Sequence, residues 1–213
     1  VVALSKKERE WNEDAPPPTD IFYDWPYYRS KYFAEKAVFS AGGSLRVASL
    51  NPSLLLGPGD VSGASVKAVR LFLEERLPGV PPGGLSFVDV RDVAEAAALA
   101  LQKGKPGRRY LLGAANMRFT EFYQRLARIA GMEAPRLRMP DFTRKILPFL
   151  PAGTLDLPWW LGGELERVDL EMASHFWYID NRRAREELGW IPRDFNETLR
   201  DTVQDLRGGL SGL

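Results

Sequence analysis

Residues 26–39 read PYYRSKYFAEKAVF, and this stretch decides how the rest of the chain is interpreted. Aromatic and apolar side chains recur in it at helical spacing, which predicts a helix over Tyr27–Phe39 that ends before Gly42. Tyr27 and Lys31 stand four positions apart, so their side chains lie on one face of that helix.

The Tyr27–Lys31 pair has a chemical use. A free tyrosine is a poor base at pH 7, because its pKa is about 10. A cation one helical turn away favours the phenolate, which brings the hydroxyl within reach of general acid–base chemistry. Tyrosine and lysine also stand four apart on many helices by chance. The pair alone therefore leaves a purely structural role open.

Downstream of this helix, short apolar runs alternate with helical patterns. Strands are predicted over 45–50, 85–90 and 110–112, and helices over 65–77, 92–102 and 120–129. The second half is mostly helical, with helices predicted over 142–150, 181–188 and 196–206. This order predicts an α/β fold, in which one edge of a sheet is followed by a smaller, helix-rich cap.

Several residues are typical of helix ends. Asp89 and Asp92 resemble a capping box at the start of one helix, and Ser65 and Thr120 are candidate N-caps of two others. Three glycines are expected to end helices: Gly104, Gly131 and Gly189.

The composition excludes several classes of function. Twenty-nine basic residues against 28 acidic ones leave a net charge of +1, so no overall field favours nucleic acid or a membrane surface. There is no cysteine, which excludes disulfides and thiol catalysis. The single histidine, His175, excludes multi-histidine metal sites and is expected to be a packed residue beside Phe176. We expect no metal, no membrane span and a cytoplasmic location.

Six segments, read in order, resemble the extended short-chain dehydrogenase/reductase superfamily. They are Tyr27-x-x-Ser30-Lys31-x-x-x-Glu35, Asn51-Pro52-Ser53, Gly57-Pro58-Gly59-Asp60, Phe87-Val88-Asp89-Val90-Arg91-Asp92-Val93-Ala94, Gly107-x-x-Tyr110-x-Leu112-Gly113 and Asn181-x-Arg183-Ala184 with Leu188-Gly189-Trp190. The branch they resemble most is that of dihydroflavonol reductases and bacterial NAD-dependent epimerase/dehydratases, including hopanoid-associated sugar epimerase-like proteins. The resemblance implies the C-terminal part of a Rossmann-type doubly wound sheet.

The resemblance also implies roles for individual residues. Tyr27 would be the catalytic acid/base, and Lys31 would support it and hydrogen-bond the nicotinamide ribose of NAD or NADP. Pro52 and the backbone of Ser53 and Leu54 would contact the nicotinamide carboxamide, although Pro52 also fits a simple strand-ending turn. Helix capping is expected for the two aspartates named above, and a surface salt bridge for Arg91.

Part of the family pattern is missing from this sequence. The Gly-rich dinucleotide fingerprint is absent, and the glycines of Gly57–Gly63 belong to a different family loop. Val1–Leu4 resembles the tail of a strand, so we expect a nucleotide-binding half upstream. Residues 1–115 are predicted to complete that Rossmann-like domain, with insertions to the cap around 55–85. Residues 116–213 are predicted to form mainly the substrate-binding cap and the C-terminal helices.

Aromatic residues in the second half have two interpretations. They are Phe142, Trp159, Trp160, Phe176, Trp177 and Tyr178. They could line an apolar substrate pocket, or they could form the core of a small cap.

Three interpretations of function remain open. The first is an NAD(P)-dependent oxidoreductase or epimerase that acts on a carbonyl or secondary alcohol, such as a sugar nucleotide or a small ketone. The second is a non-catalytic NAD(P)-binding sensor or scaffold, against which the intact Tyr27 and Lys31 argue. The third is an inactive fragment of such an enzyme. A homodimer formed partly through the Tyr27–Phe39 helix is expected from the resemblance.

Overall fold

The computed structural model describes residues 5–19, 23, 25–41, 45–63, 65–77, 79–139 and 171–210. The helix predicted at 142–150, the residues Trp159 and Trp160, and the stub Val1–Leu4 lie outside the described residues.

Strands and helices alternate along the described chain, as expected for an α/β fold. The strands are β1 (Glu10–Trp11), β2 (Ser49–Pro52), β3 (Leu54–Leu56), β4 (Gly84–Asp89), β5 (Arg109–Leu112), β6 (Ala115–Arg118) and β7 (Phe176–Ile179). The α-helices are α1 (Pro26–Ala41), α2 (Lys67–Leu73), α3 (Val90–Lys103), α4 (Phe119–Ala130) and α5 (Phe195–Leu210), and Ala184–Leu188 forms a π-helical turn.

Most strand pairs are parallel, which agrees with the predicted fold class. One sheet has the order β1-β7-β4-β3, and β6 pairs with β4 in the antiparallel sense. A second, two-stranded sheet joins β2 and β5 in parallel, with Asn51 opposite Leu111 and Pro52 opposite Leu112. Parallel strands buried by helices are the architecture that Rossmann-type proteins use.

Two apolar clusters hold the sheets and helices together. The larger one packs α4 and α5 against β3 and β4, and Phe87 stacks on Phe122 with ring centroids 4.5 Å apart. The smaller one packs α3 and the π-helical turn against β2 and β5 around Trp190, which is completely buried. The larger cluster joins residues on both sides of position 115, and the division into two domains at that position stays a prediction.

Helix ends follow the predictions in part. Asp89 caps α3, since its carboxylate accepts a hydrogen bond from the Arg91 amide, and Gly131 ends α4 in the left-handed conformation. Neither Ser65 nor Thr120 is an N-cap. The Asp60 carboxylate accepts hydrogen bonds from the Ser65 and Val66 amides instead, so α2 begins two residues later than predicted.

Four short strands were not predicted. β1 lies in a charged segment, β3 follows β2 after one residue, and β6 follows β5 after two residues. β7 holds three of the aromatic residues for which a substrate pocket and a core were both considered. All four side chains of β7 are buried in the sheet, so Phe176, Trp177 and Tyr178 serve the core. None of the described helices is long and apolar enough to cross a membrane.

Candidate active site

Helix α1 presents Tyr27 and Lys31 to solvent. No residue of α1 is buried, and Tyr27 is 64% exposed. The Lys31 ammonium nitrogen lies 5.5 Å from the centroid of the Tyr27 ring. Because the two residues are one helical turn apart, the backbone itself sets this proximity. The structure thus places the predicted pair side by side, and the catalytic role of the pair stays a prediction.

Aromatic packing fixes the N-terminal end of α1. Trp25, which precedes the helix, is 3% exposed and stacks on Trp177 of β7 with ring centroids 5.8 Å apart. Tyr28 packs against the same Trp177 ring at 5.1 Å. We call Trp25, Tyr28 and Trp177 the aromatic anchor. It joins the helix that carries Tyr27 to the five-stranded sheet.

His175 borders the aromatic anchor and is a packed residue, as predicted. It is 5% exposed, and its ring meets Trp25 edge-on at 5.9 Å. Its Nδ1 lies 2.9 Å from the carbonyl oxygen of Glu171.

A carboxylate fixes the C-terminal half of α1 to the other sheet. Oε2 of Glu35 accepts hydrogen bonds from Ser49 Oγ and Asn51 Nδ2, both at 2.9 Å. Oε1 accepts one from Arg109 Nε on β5 at 2.6 Å. Burial alone would raise the pKa of Glu35, but the hydrogen bonds from Asn51, Arg109 and Ser49 outweigh it, so this pKa lies below its ordinary value.

Pro52, Ser53 and Leu54 lie at the carboxyl end of β2. This is the end of parallel strands at which ligands bind in open α/β sheets. Pro52 is exposed, Ser53 donates its amide hydrogen to the Leu112 carbonyl at 2.9 Å, and Leu54 packs on the larger apolar cluster. Ser53 Oγ is buried and has no hydrogen-bond partner among the described residues.

The residues present fit the nicotinamide end of a dinucleotide. An exposed Pro52 and a buried Ser53 hydroxyl, which has no hydrogen-bond partner in the part of the chain that the structure describes, suit a bound amide. The Gly57–Gly63 loop does not suit a pyrophosphate, because α5 already accepts hydrogen bonds from two of its amides. Gly57 donates to Thr202 Oγ1 at 2.9 Å, and Gly59 donates to the Asp205 carboxylate at 3.0 Å.

The acidic pair after β4 is structural. Asp89 is completely buried, and Arg91 bridges it to Asp201 of α5 with nitrogen–oxygen distances of 2.7 Å. Burial would raise the pKa of Asp89, but hydrogen bonds from Arg91 and the charge of Arg193 hold it below its ordinary value. Asp92 does not cap α3; it accepts hydrogen bonds from the Arg193 amide at 2.9 Å and from its guanidinium at 2.8 Å.

Sequence reasoning assigned no role to Glu35. The residue was part of the quoted motif, and its position four residues after Lys31 places it on the same helix face. Its partner Arg109 lies 74 positions away, so only the fold brings the two together.

Comparisons with known proteins identify relatives of this chain. A provisionally named dihydroflavonol 4-reductase of Synechocystis sp. is 30% identical over 183 residues, which cover 83% of this chain and 53% of that protein. The crystal structure of gox2253 has a TM-score of 0.78 at 25% identity, covering 97% of this chain and 63% of that one. A UDP-glucose-4-epimerase from Stenotrophomonas maltophila, crystallised with bound NAD, has a TM-score of 0.67 at 20% identity, covering 97% and 61%.

These matches cover only part of each relative's length. The chain spans about half the length of the curated relatives it matches. The likeness to the Stenotrophomonas epimerase supports the fold alone. The family model described as the NAD dependent epimerase/dehydratase family matches residues 6–113, which include Tyr27, Lys31 and the β2–β3 junction. This chain therefore belongs to the NAD dependent epimerase/dehydratase family.

Proposed function

We propose that the protein containing this chain is an NAD(P)-dependent oxidoreductase or epimerase that acts on a carbonyl or secondary alcohol. The observation that carries the proposal is the exposed Tyr27 with the Lys31 ammonium 5.5 Å from its ring centroid. Two anchors fix their helix, one to each sheet, and the Glu35 anchor lies beside the carboxyl end of β2.

In this proposal Tyr27 moves a proton at the substrate oxygen. Its phenol donates that proton to a carbonyl during reduction, and its phenolate accepts a proton from an alcohol during oxidation. Lys31 places its positive charge beside the Tyr27 ring. Among the described residues Lys31 has no acidic partner, so its charge is available to Tyr27 and to a ribose hydroxyl.

Pro52, Ser53 and Leu54 would hold the nicotinamide end of the cofactor. When bound, NAD(P) supplies or accepts the hydride. The buried Ser53 hydroxyl would give the carboxamide a hydrogen-bond partner, and the exposed Pro52 would give its ring a packing surface. Both a ketone reductase and a sugar-nucleotide epimerase use these parts, and the matched relatives carry names of both kinds.

We also propose that the protein is cytoplasmic and forms a homodimer partly through α1. Phe33 and Val38 of α1 are 47% and 52% exposed, which supports a contact between two copies through this helix. Light scattering at the mass of a dimer is expected, and a single species at monomer mass would refute the dimer.

Cofactor use and the role of Lys31 can be tested together. The natural protein that contains this chain is titrated with NADH and with NADPH. It is then assayed with two probes, phenanthrenequinone for carbonyl reduction and UDP-glucose for epimerisation. Lys31→Met is expected to lower turnover by about 10²-fold, the lower range for a supported acid–base group. Lys36→Met is the matched control, because this exposed lysine on the same helix should leave turnover unchanged.

Two results would count against the proposal. One is that neither NADH nor NADPH binds. The other is that Lys31→Met and Lys36→Met have the same turnover. Binding of a cofactor without turnover of either probe would instead favour the sensor or scaffold interpretation.

A further inference from the structure

Helix α1 is held at two points, by the aromatic anchor at its N-terminal end and by Glu35 in its C-terminal half. Tyr27, Lys31 and Glu35 recur every four residues, so they form one stripe along the helix. The stripe from Tyr27 to Glu35 rises about 12 Å, at 1.5 Å per residue. The aromatic anchor fixes the end near Tyr27, and Glu35 fixes the other end.

Hydrogen bonds to the Glu35 side chain join this stripe to β2. The side chain is 10% exposed and takes three hydrogen bonds, two of them from β2 and one from β5. Arg109 contacts α1 a second time, since its guanidinium lies 5.3 Å from the centroid of the Phe39 ring. A largely shielded carboxylate with three donors has one favoured position, because leaving any donor unpaired costs free energy.

The partners of Glu35 lie next to the proposed cofactor contacts. Asn51 donates to Glu35 and directly precedes Pro52 and Ser53. One carboxylate therefore touches both halves of the candidate site: the helix with Tyr27 and Lys31, and the strand end with Pro52 and Ser53. A shift of about 1 Å between such halves can cost about 10²-fold in rate.

We propose that Glu35 is a positioning residue, which sets the distance between the Tyr27–Lys31 pair and the nicotinamide-contacting end of β2. This inference rests on the proposed function. Glu35 touches neither substrate nor cofactor in this account. It acts through the Asn51, Ser49 and Arg109 hydrogen bonds, which fix α1 along the β2–β5 sheet.

A matched carboxylate, Glu187 of the π-helical turn, also binds β5 and separates positioning from ordinary stability. Glu187 has a 16% exposed side chain, accepts a hydrogen bond from the Tyr110 hydroxyl at 2.9 Å, and pairs with Lys105 at 3.2 Å. Like Glu35 it is a shielded acid bound to β5, but none of these contacts involves α1. Glu35→Gln and Glu187→Gln should therefore lower the melting temperature by similar amounts and differ in their effect on the site.

The experiment uses these two variants in the natural protein that contains this chain. Hydrogen exchange is expected to show loss of protection in α1 for Glu35→Gln and none there for Glu187→Gln. With whichever probe the unaltered protein turns over, phenanthrenequinone or UDP-glucose, kcat should fall about 10- to 100-fold for Glu35→Gln and less than about 3-fold for Glu187→Gln.

A double variant tests whether Glu35 acts through Tyr27. Adding Glu35→Gln to Tyr27→Phe should cause no further loss of turnover, because the group being positioned is already gone. Equal effects of Glu35→Gln and Glu187→Gln on kcat, or a full additional loss in the double variant, would overturn the inference while the role of Tyr27 stands. Turnover that is insensitive to Tyr27→Phe would overturn the proposed function and this inference with it.

Discussion

Helices α1 and α5 have the same length, 16 residues, and opposite surroundings. α5 buries Phe195, Leu199 and Val203 against β3, β4 and α4, and its Asp201 pairs with Arg91. α1 buries no residue at all and is held by the aromatic anchor and Glu35. Asp201, Asp205 and Arg207 of α5 have partners within the protein, whereas α1 leaves Tyr27 and Lys31 exposed. The difference indicates that α5 contributes stability, and it fits the proposed role of α1 as the helix that presents Tyr27 and Lys31.

The largest expected loss of stability comes from the charges that join α3 to α5. Asp89→Asn removes the charge of a buried carboxylate. Its Oδ2 lies 2.7 Å from the Arg91 guanidinium and 3.6 Å from that of Arg193. Breaking a buried ion pair by removing one partner costs about 3 kcal/mol of unfolding free energy. Urea unfolding measures it, with Glu133→Gln as the control, since the Glu133–Arg136 pair is almost fully exposed. A loss below about 1 kcal/mol for Asp89→Asn would contradict the account, because such a loss is typical of exposed pairs.

The same substitution in each helix sharpens the comparison. Val203 on α5 is 4% exposed, and Val38 on α1 is 52% exposed. Val203→Ala should cost about 2 kcal/mol, since it removes two buried methyl groups and leaves a cavity. Val38→Ala should stay within about 0.5 kcal/mol. Both variants are measured at a protein concentration that light scattering shows to be monomeric, because the proposed dimer contact would bury Val38. Equal losses in urea unfolding under that condition would contradict the contrast between the helices.

The smallest expected effect is a dependence of stability on acid pH. The pKa values of Asp89 and Glu35 lie below their ordinary values of 3.8 and 4.5. A lowered folded-state pKa contributes stability above the unfolded value, and that contribution is lost as the pH falls through the folded-state pKa. The unfolding free energy should therefore decrease as the pH falls below about 4.5, and less steeply in Asp89→Asn. A stability that is unchanged from pH 7 to pH 3 would contradict these assignments.

The sequence predicts the elements that local chemistry specifies. Helix α1 follows from its apolar spacing, the start of α3 from Asp89, and the end of α4 from Gly131. Each of these depends on residues within one or two turns. The proximity of Tyr27 and Lys31 is local in the same way, because the helix itself brings positions four apart together.

The missed features depend on contacts that are distant in the sequence. β1 has only two residues in a charged segment and exists through its pairing with β7, about 168 positions later. β7 has four buried side chains, so it lacks the alternation by which a half-buried strand is predicted. The sequence places Glu35 on the same helix face as Tyr27. It does not predict the partner Arg109, because only the fold brings that residue close to Glu35.

The central claim is that Tyr27 transfers the proton, and one substitution tests it most directly. Tyr27→Phe removes only the hydroxyl, and Tyr23→Phe is the matched control. Tyr23 is also an exposed tyrosine, 53% exposed, with the Arg29 guanidinium 5.7 Å from its ring centroid. The measurement is turnover of phenanthrenequinone and UDP-glucose, together with NADH affinity, in the natural protein that contains this chain. The account predicts a loss of about 10²- to 10⁴-fold in turnover with unchanged NADH affinity for Tyr27→Phe, and no loss for Tyr23→Phe. Turnover of Tyr27→Phe equal to that of the unaltered protein would contradict it.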